Sequence, residues 1–238
     1  MPNPTAAMLV IGDEILSGRT RDANMFYLAG RLTEIGVDLR EVRVVADDQP
    51  AIVAAINALR AAHGVLFTSG GIGPTHDDIT ADCVAAAFGV AIDVREDARA
   101  ILATNYPEGE AALNPARLRM ARIPEGALLI ENPVSKAPGF TLGNVHVMAG
   151  VPAVFQAMVD SVLPGLTGGA PLLSESVRID RGESDVAQAL GVIAERFPQV
   201  AIGSYPFQRD GRYGTNIVLR SPDREMLDQA TNAVRALV

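Results

Sequence analysis

The sequence predicts a three-layer α/β fold, in which helices cover both faces of a mostly parallel sheet, followed by a small α+β domain. The first observation is an alternation of short apolar runs with segments whose apolar residues recur at helical spacing, which is typical of β-α-β units. The second is a linker at 164–171, PGLTGGAP, with two prolines and three glycines in eight residues. The third is size, because 238 residues, 48% of them hydrophobic, are enough for one large core and one small one.

Three strand and helix pairs open the large domain, which we place at residues 1–165. Short runs that are apolar or alternate with polar residues predict the strands, at 6–12, 37–45 and 64–68. Helical spacing of apolar residues predicts the helices, at 25–35, 52–59 and 77–88. We expect Gly36 to end the first helix and Pro50 to lie near the start of the second.

The remainder of the large domain is less regular. Residues 95–121 are predicted to be helical but irregular, because Pro107 and Pro115 interrupt them. Apolar runs then predict three strands and a final helix, at 128–131, 140–142, 145–148 and 151–162. We expect the last two strands to pair across the turn Gly143-Asn144.

The segment beyond the linker, 171–238, is predicted to form the small α+β domain. Its expected order is strand, helix, strand, strand, helix, at 173–180, 184–196, 200–205, 213–220 and 223–236. A unit of this length is near the lower limit at which a domain buries a core of its own.

Charge and cysteine content exclude several classes of protein. The net charge is −8 and no cluster of five or more basic residues occurs, which disfavours a nucleic-acid partner. Cys83 is the single cysteine, so a disulfide framework within the chain is excluded. The start, MPNPTAAMLVIGDE, has no positive segment before its apolar run, and no apolar stretch reaches membrane-spanning length. We therefore expect no signal peptide, no membrane partner and a cytoplasmic location.

The loop TSGGIGPTHDD at 68–78 has the composition of an anion site. Gly70, Gly71 and Gly73 allow a ligand to approach the backbone, and the N-terminus of the following helix attracts anions. Ser69 and Thr75 add hydroxyl donors. The loop matches neither the dinucleotide fingerprint nor the P-loop, and a merely tight turn is an equal alternative.

Acidic residues follow three of the predicted strands, at the sheet edge where ligands of such folds bind. Asp78 alternatively completes a capping box with Thr75, and Asp47 or Asp48 alternatively caps the second helix. Asp13-Glu14 is expected to have no helix to cap within several residues. Because phosphate and carboxylate repel each other, we predict Mg²⁺ or another divalent cation between them. Asp13 and one of Asp47 or Asp78 would bind this metal, and Asp13, Glu14 and Asp47 are the catalytic candidates, with Glu14 orienting water.

Two further loops and the remaining reactive side chains complete the candidates. Lys136, among turn-forming residues, is a cation for a phosphate or else an ordinary solvated lysine. Gly150-Val151-Pro152 opens a helix and could offer its amides to the same ligand. The histidines have no metal-binding spacing, and Cys83 is expected to be a buried thiol.

Four segments in this order resemble the molybdopterin-binding, MoaB/Mog-like family. They are GDEILSGRTRDAN (12–24), TSGGIGPTHDDITADCVAAAFG (68–89), NPVSKAPGF (132–140) and MAGVP (148–152). The small domain, with GSYPFQRDGRYGTNIVLRS at 203–221, resembles the CinA-like branch, and the chain is also similar to the molybdopterin-binding-like region of eukaryotic FAD synthases. The chain departs from CinA-like relatives at Ser135-Lys136, where Gly-Thr is common, and at Val154, where Glu is frequent.

The resemblance implies a small phosphate-bearing ligand, a pterin or a nucleotide. The implied ligand contacts are Gly70, Gly71, Gly73, Pro74, Thr75, Ser135, Lys136, Gly150 and Pro152, and the implied acids are Asp13, Asp47 and Asp77-Asp78. The leading hypothesis is a metal-dependent nucleotide pyrophosphatase acting on ADP-ribose- or FAD-like dinucleotides. The alternatives are molybdopterin binding or adenylylation in molybdenum cofactor biosynthesis, and a ligand-binding protein without turnover. The resemblance also implies a homo-oligomer, either a dimer or a trimer.

Overall fold

A computed structural model describes residues 3–209 and 211–237, and the chain divides into two compact units, Met1–Gly169 and Ala170–Val238. The strands of the first unit are β1 Thr5–Ile11, β2 Asp38–Val45, β3 Val65–Ser69, β4 Ile92–Val94, β5 Arg122–Pro124, β6 Leu128–Ile130, β7 Gly139–Leu142 and β8 Val145–Met148. Its α-helices are α1 Asp13–Leu16, α2 Asn24–Glu34, α3 Gln49–Ala62, α4 Thr80–Phe88, α5 Glu96–Ala103, α6 Pro115–Leu118 and α7 Pro152–Val162.

A six-stranded sheet in the order β2-β1-β3-β8-β7-β6 forms the middle layer. The neighbours β2, β1, β3 and β8 run parallel to one another, whereas β7 is antiparallel to β8 and to β6. Four parallel strands therefore end at one edge, and the prediction of a mostly parallel α/β sheet is confirmed.

Alternate residues of the central strand β1 enter cores on opposite faces of the sheet. Ala7, Leu9 and Ile11 pack with residues of α3, α4 and α5, whereas Met8 and Val10 pack with residues of α2 and α7. This period of two is the geometry of a strand buried on both faces. Full burial of a side chain such as that of Leu9 contributes about 1.5–3 kcal/mol to the stability of the fold. The strands therefore hold the loops at their carboxyl ends on a well-packed core.

The region 95–121 is helical but irregular, as predicted, and only the role of Pro115 differs from the expectation. Pro115 does not interrupt a helix but occupies the first turn of α6, where Asn114 accepts a hydrogen bond from the amide of Arg117 at 2.9 Å. The short strands β4 and β5 pair in a separate antiparallel sheet. Neither strand is an uninterrupted apolar run, since β4 contains Asp93 and β5 contains Arg122 and Pro124, which is why they were not predicted.

Two buried titratable side chains of this unit are structural. Cys83 is fully buried, which confirms the predicted buried thiol, and burial raises the pKa of that thiol to about 12. His146 on β8 lies opposite Thr141, and its Nδ1 is 2.8 Å from the threonine hydroxyl. Burial lowers the pKa of His146 to about 4, so this imidazole is neutral at pH 7.

The second unit is a three-stranded antiparallel sheet with two helices. Its elements are β9 Leu173–Ile179, α8 Glu183–Arg196, β10 Ala201–Arg209, β11 Arg212–Ser221 and α9 Arg224–Arg235. The strand order is β10-β11-β9, and one apolar cluster joins the sheet to both helices. The predicted small α+β domain is confirmed, although β10 continues past Pro206, because an edge strand tolerates proline.

Membrane-spanning character is not found in either unit. None of the helices within 3–209 and 211–237 has both the length and the apolar character that crossing a bilayer requires.

Candidate active site

A cavity of about 550 Å³ lies at the carboxyl ends of β1, β3 and β8. Its walls come from the loops that follow these strands, together with Asp47 after β2 and the segment containing Asn132 and Ser135. Ligands of open α/β sheets bind at this edge, so the fold brings the predicted loops together at one place.

The glycine loop after β3 is a tight turn as well as a wall of the cavity. Gly70 has a φ of 106°, and a Cβ atom there would overlap the carbonyl oxygen of Ile11. Gly71 has a φ of 68°, and its Cβ would overlap the hydroxyl of Thr80, which donates to the carbonyl of Gly70 at 2.9 Å. A Cβ on Gly73 would lie 2.6 Å from Asp78 Oδ2. Packing and backbone conformation therefore require Gly70 and Gly71 whatever the ligand, whereas a Cβ on Gly73 would displace the carboxylate of Asp78.

Asp78 closes a turn that precedes α4. Its Oδ2 accepts hydrogen bonds from the amide and the hydroxyl of Thr75, at 2.8 and 2.6 Å. The helix begins only at Thr80, and Ile79 at its start makes no side-chain cap. The predicted helix start at 77 and the predicted capping of α4 by Asp78 are therefore wrong, although the contact between Thr75 and Asp78 exists. Asp78 lines the cavity, whereas Thr75 does not.

The acids after β1 and β2 divide into two groups. Asp48 accepts a hydrogen bond from the amide of Ala51 at 3.0 Å and is the N-cap of α3, whereas Asp47 lines the cavity. Asp13 and Glu14 lie in the first turn of α1, so the expectation that they precede no helix is wrong. A helix of four residues is too short to leave a periodic pattern. Glu14 lines the cavity, but Asp13 instead donates its backbone amide to Asp47 Oδ2 at 3.0 Å.

The carboxylate of Asp47 is surrounded by other negatively charged side chains. Burial raises the pKa of its carboxyl, the negative charges of Asp13, Glu14 and Asp77 raise it further, and the hydrogen bond from the Asp13 amide opposes them. The ionised form of Asp47 is thus disfavoured unless a positive charge is nearby.

The cavity wall carries carboxylates without compensating cations. Glu14, Asp47, Asp77 and Asp78 line it, and no lysine or arginine within 3–209 or 211–237 does so. In the same ranges, no group of three or more His, Cys, Asp or Glu side chains forms a ready-made metal cage. Mg²⁺ is usually bound by one or two carboxylates plus substrate phosphates and water, so this donor set fits such an ion.

Asn132 holds together the loop that contains Lys136. Its Nδ2 donates to Ser135 Oγ and to the carbonyl of Ala137, at 2.7 and 2.8 Å, and its Oδ1 accepts from the amides of Val134 and Ser135. Lys136 has a φ of 58°, the one positive φ of a non-glycine residue in the described chain. Such a conformation costs about 1–3 kcal/mol. Ser135 lines the cavity, but the half-buried Lys136 does not.

Asn24, which the sequence did not single out, joins two strand ends beneath the cavity. It is 3% exposed, and its Nδ2 donates to Ser69 Oγ and to the carbonyl of Gly150, both at 2.8 Å. Ser69 therefore lines a smaller neighbouring cavity of about 60 Å³ and not the main one. The signal that was available is a polar residue at the start of a helix, inside the segment 12–24 that resembles the family.

Asn24→Asp is expected to destabilise the first unit by about 2–3 kcal/mol, because a carboxylate cannot donate to the carbonyl of Gly150 and becomes a buried charge without compensation. Urea unfolding of both proteins measures the difference. Asp22→Asn is the control, because it alters a nearby half-buried acid and keeps an oxygen that can accept from the amide of Met25. An unchanged midpoint for Asn24→Asp would contradict the assigned role.

The candidate residues from the sequence thus fall into two sets. Those that line the main cavity are Glu14, Asp47, Gly70, Gly71, Gly73, Pro74, Asp77, Asp78, Ser135, Gly150 and Pro152. Those that do not are Asp13, Ser69, Thr75 and Lys136. Residues that line the cavity but were not candidates include Ile11, Gly12, Thr20, Ile72, Met120 and Val154. Most of these are apolar, and their side chains give no chemical signal in a sequence.

Comparison with protein families gives a match for each unit. Residues 7–168 match the model described as a probable molybdopterin binding domain. Residues 171–238 match the model of the FAD synthase middle domain. The two matched ranges together span nearly the whole chain.

Individual relatives agree with these matches. The chain is similar to a probable FAD synthase of Caenorhabditis elegans, with 31% identity over 98% of this chain and 50% of the relative. It is also similar to a CinA-like protein of Myxococcus xanthus, with 32% identity over 95% of this chain and 56% of the relative. The chain therefore spans about half the length of these two relatives.

A solved structure supports the same assignment for the first unit. The protein CinA of Thermoplasma acidophilum, described as of unknown function, is 36% identical and aligns with a TM-score of 0.64 over 68% of this chain and 97% of its own. The chain belongs to the family of molybdopterin-binding domains, in its CinA-like branch.

Proposed function

We propose that the first unit is a metal-dependent nucleotide pyrophosphatase that acts on ADP-ribose- or FAD-like dinucleotides in the cytoplasm. The observation that carries the proposal is the cavity wall, where a glycine loop lies beside four carboxylates and no lysine or arginine of the described chain. A phosphate enters such a site favourably only together with a cation.

The residues available to the cation are Asp47 and Asp78, which both line the cavity. In each, Oδ2 is engaged by a protein donor, and Oδ1 has no hydrogen-bond partner among the described residues. Asp13 remains a third candidate ligand, because its backbone amide orients Asp47 and its negative charge lies near enough to raise the pKa of that carboxyl. A bound divalent cation supplies positive charge that neutralises the phosphates and the developing transition-state charge.

The protein's own groups then have separate roles. Amides of the loop containing Gly71 and Gly73 bind phosphate oxygens. Glu14 accepts a proton from the attacking water, whose oxygen forms a bond to one phosphorus. The bond from that phosphorus to the bridging oxygen breaks, and the released phosphate keeps the bridging oxygen and its negative charge. One product from either substrate class is AMP.

Lys136 is proposed to approach the distal phosphate. Its neighbours Ser135 and Ala137 line the cavity, and no ion pair engages its ammonium in the described chain. A change of side-chain rotamer would bring the charge to the rim without moving the loop that Asn132 holds. The role is that of a point charge, which a lysine fills readily.

The test is release of AMP from ADP-ribose, FAD and NADH in the presence of Mg²⁺, Mn²⁺ or Co²⁺. We expect AMP from at least one substrate, loss of release with a chelator, and a strong reduction by Glu14→Gln. Glu34→Gln, on an exposed helix surface, serves as the control. Absence of AMP in every combination would exclude the proposed activity.

Molybdopterin binding or adenylylation is the second candidate, favoured by the family match over residues 7–168. The apolar side chains of Ile72, Met120 and Val151 in the cavity wall suit a flat ring system. Calorimetry with molybdopterin tests this candidate and also the ligand-binding alternative without turnover. No heat at saturating concentration would exclude both for this ligand.

A homo-oligomer, dimer or trimer, is also proposed. Leu16, Met25 and Phe26 are exposed apolar residues of α1 and α2, with Phe26 exposed to 83%. Sedimentation equilibrium decides the state, and a monomer at all concentrations would contradict the proposal.

A further inference from the structure

Arg119 lies behind the acidic part of the glycine loop, in a short 3-10 turn at Arg119–Ala121. Its Nη2 donates to the main-chain carbonyl of Asp78 at 2.9 Å. Its Nε is buried and has no hydrogen-bond partner. The side chain borders a cavity of about 10 Å³ that also touches Gly73 and Asp78, which leaves hardly enough room for a water molecule to serve the Nε.

A buried hydrogen-bond donor without a partner is rare and destabilises the folded protein. Stability therefore does not explain why the guanidinium of Arg119 lies here, which indicates a functional role. Arg122 nearby offers a contrast, because both of its terminal nitrogens pair with the carboxylate of Asp82, at 2.7 and 2.6 Å. Arg119 instead directs its one hydrogen bond to the backbone of the turn that carries two cavity-lining acids.

The conformation of the turn 75–78 depends on the position of its last residue, Asp78. The carboxylate of Asp78 reaches back to the amide and hydroxyl of Thr75. The same carboxylate covers Gly73 so closely that no Cβ fits between them. Displacement of the Asp78 backbone would therefore also displace the carboxylates of Asp77 and Asp78 at the cavity wall.

We infer that Arg119 is a positioning residue for this acidic turn, which holds the backbone of Asp78 from behind and thereby sets where the carboxylate of Asp78 meets a bound cation. The effect on the cation rests on the proposed function, whereas the effect on the turn does not. The planar guanidinium suits the role, because it donates to a carbonyl while keeping a fixed orientation.

Arg117 is a matched control on the preceding helix α6. It also donates to a backbone carbonyl, that of Ala112, at 2.6 Å, and its guanidinium stacks 4.1 Å from the ring centroid of Tyr106. Arg117 does not border the main cavity or the small cavity behind the loop. Its replacement removes a comparable arginine contact without touching the acidic turn.

The experiment compares Arg119→Gln, Arg119→Lys and Arg117→Gln in the full chain, by amide NMR shifts and by the dissociation constant for Mn²⁺ alone. For Arg119→Gln we expect shifts at residues 73–80 and Mn²⁺ binding weakened by about tenfold or more, the usual effect of removing a group that orients metal ligands. Arg119→Lys keeps the charge and should weaken binding less. Arg117→Gln should shift only residues around its own helix and leave Mn²⁺ binding unchanged.

Wild-type shifts at 73–80 in Arg119→Gln would overturn the inference, and so would equal loss of Mn²⁺ binding in Arg117→Gln. If Arg119→Gln does not fold, Arg119→Lys decides, since wild-type shifts and wild-type Mn²⁺ binding in that variant would also overturn it. A wild-type protein that releases no AMP would refute the proposed pyrophosphatase and leave the NMR comparison of the turn intact. The two failures are therefore distinguishable.

Discussion

Asp47→Asn is expected to lower the rate of AMP release by on the order of 100-fold or more. The same substitution should make the folded protein slightly more stable at pH 7. The pKa of Asp47 is raised in the folded state by burial and by neighbouring carboxylates, so the folded protein binds this proton more tightly than the unfolded chain. The stabilisation from this proton is fully present below the unfolded pKa and is lost as pH rises through the folded pKa. At pH 7 the ionised carboxylate therefore destabilises the protein, and an amide removes that charge.

The expected rise in melting temperature is small, about 1–3 °C, because Asp47 is only partly buried. Thermal unfolding and AMP release are measured on the same preparation. Asp48→Ala is the control, because it removes the N-cap of α3 next door, and should cost about 1 kcal/mol while leaving AMP release nearly unchanged. If Asp47→Asn loses AMP release and also has a clearly lower melting temperature, the account is contradicted, because Asp47 would then stabilise the fold and would not act mainly in the reaction.

Gly70→Ala is expected to destabilise the first unit by about 3–5 kcal/mol, the largest stability effect that we predict. A Cβ atom at this position would overlap the backbone carbonyl of Ile11 on the neighbouring strand, which cannot move without breaking the sheet. In addition, a φ of 106° lies where residues other than glycine are strained.

Gly18→Ala is the matched control for this prediction. Gly18 also has a positive φ, 71°, but a Cβ there would meet no atom within 4 Å, so only the backbone strain of about 1 kcal/mol is expected. Urea unfolding of the two variants separates overlap from strain. Equal midpoints for both variants would show that the close approach to Ile11 is not what requires Gly70.

The fold was predictable because strand and helix periods are strong where elements are long. The central strand β1 and the helices α2, α3 and α7 leave clear patterns, and the parallel order follows from their alternation. The helix α1 and the strands β4 and β5 were missed because each is short and also contains charged residues or a proline, whereas the equally short β6 is an apolar run. Pro115 was misjudged for a different reason, since proline interrupts a helix in its interior but favours its first turn.

The sequence predicted where in the fold the candidate site lies, but it did not predict which side chains point into the cavity. The rule about strand ends put Asp13, Glu14, Asp47 and Asp48 at one edge. Which acid of each pair faces the cavity depends on the first turn of the following helix, and the sequence left that open. Asn24 and Arg119 were missed because each acts on backbone atoms distant in sequence, to which no motif corresponds.

The central claim is that a divalent cation allows a phosphate to bind at the glycine loop, because the cation offsets the repulsion from the carboxylates beside that loop. The most direct measurement is calorimetric titration of AMP, the expected product, into the full chain with Mn²⁺ and again with a chelator. The account predicts that binding with Mn²⁺ is at least about tenfold tighter than with the chelator, because the cavity wall is otherwise negatively charged. Equal affinity for AMP under the two conditions would contradict it.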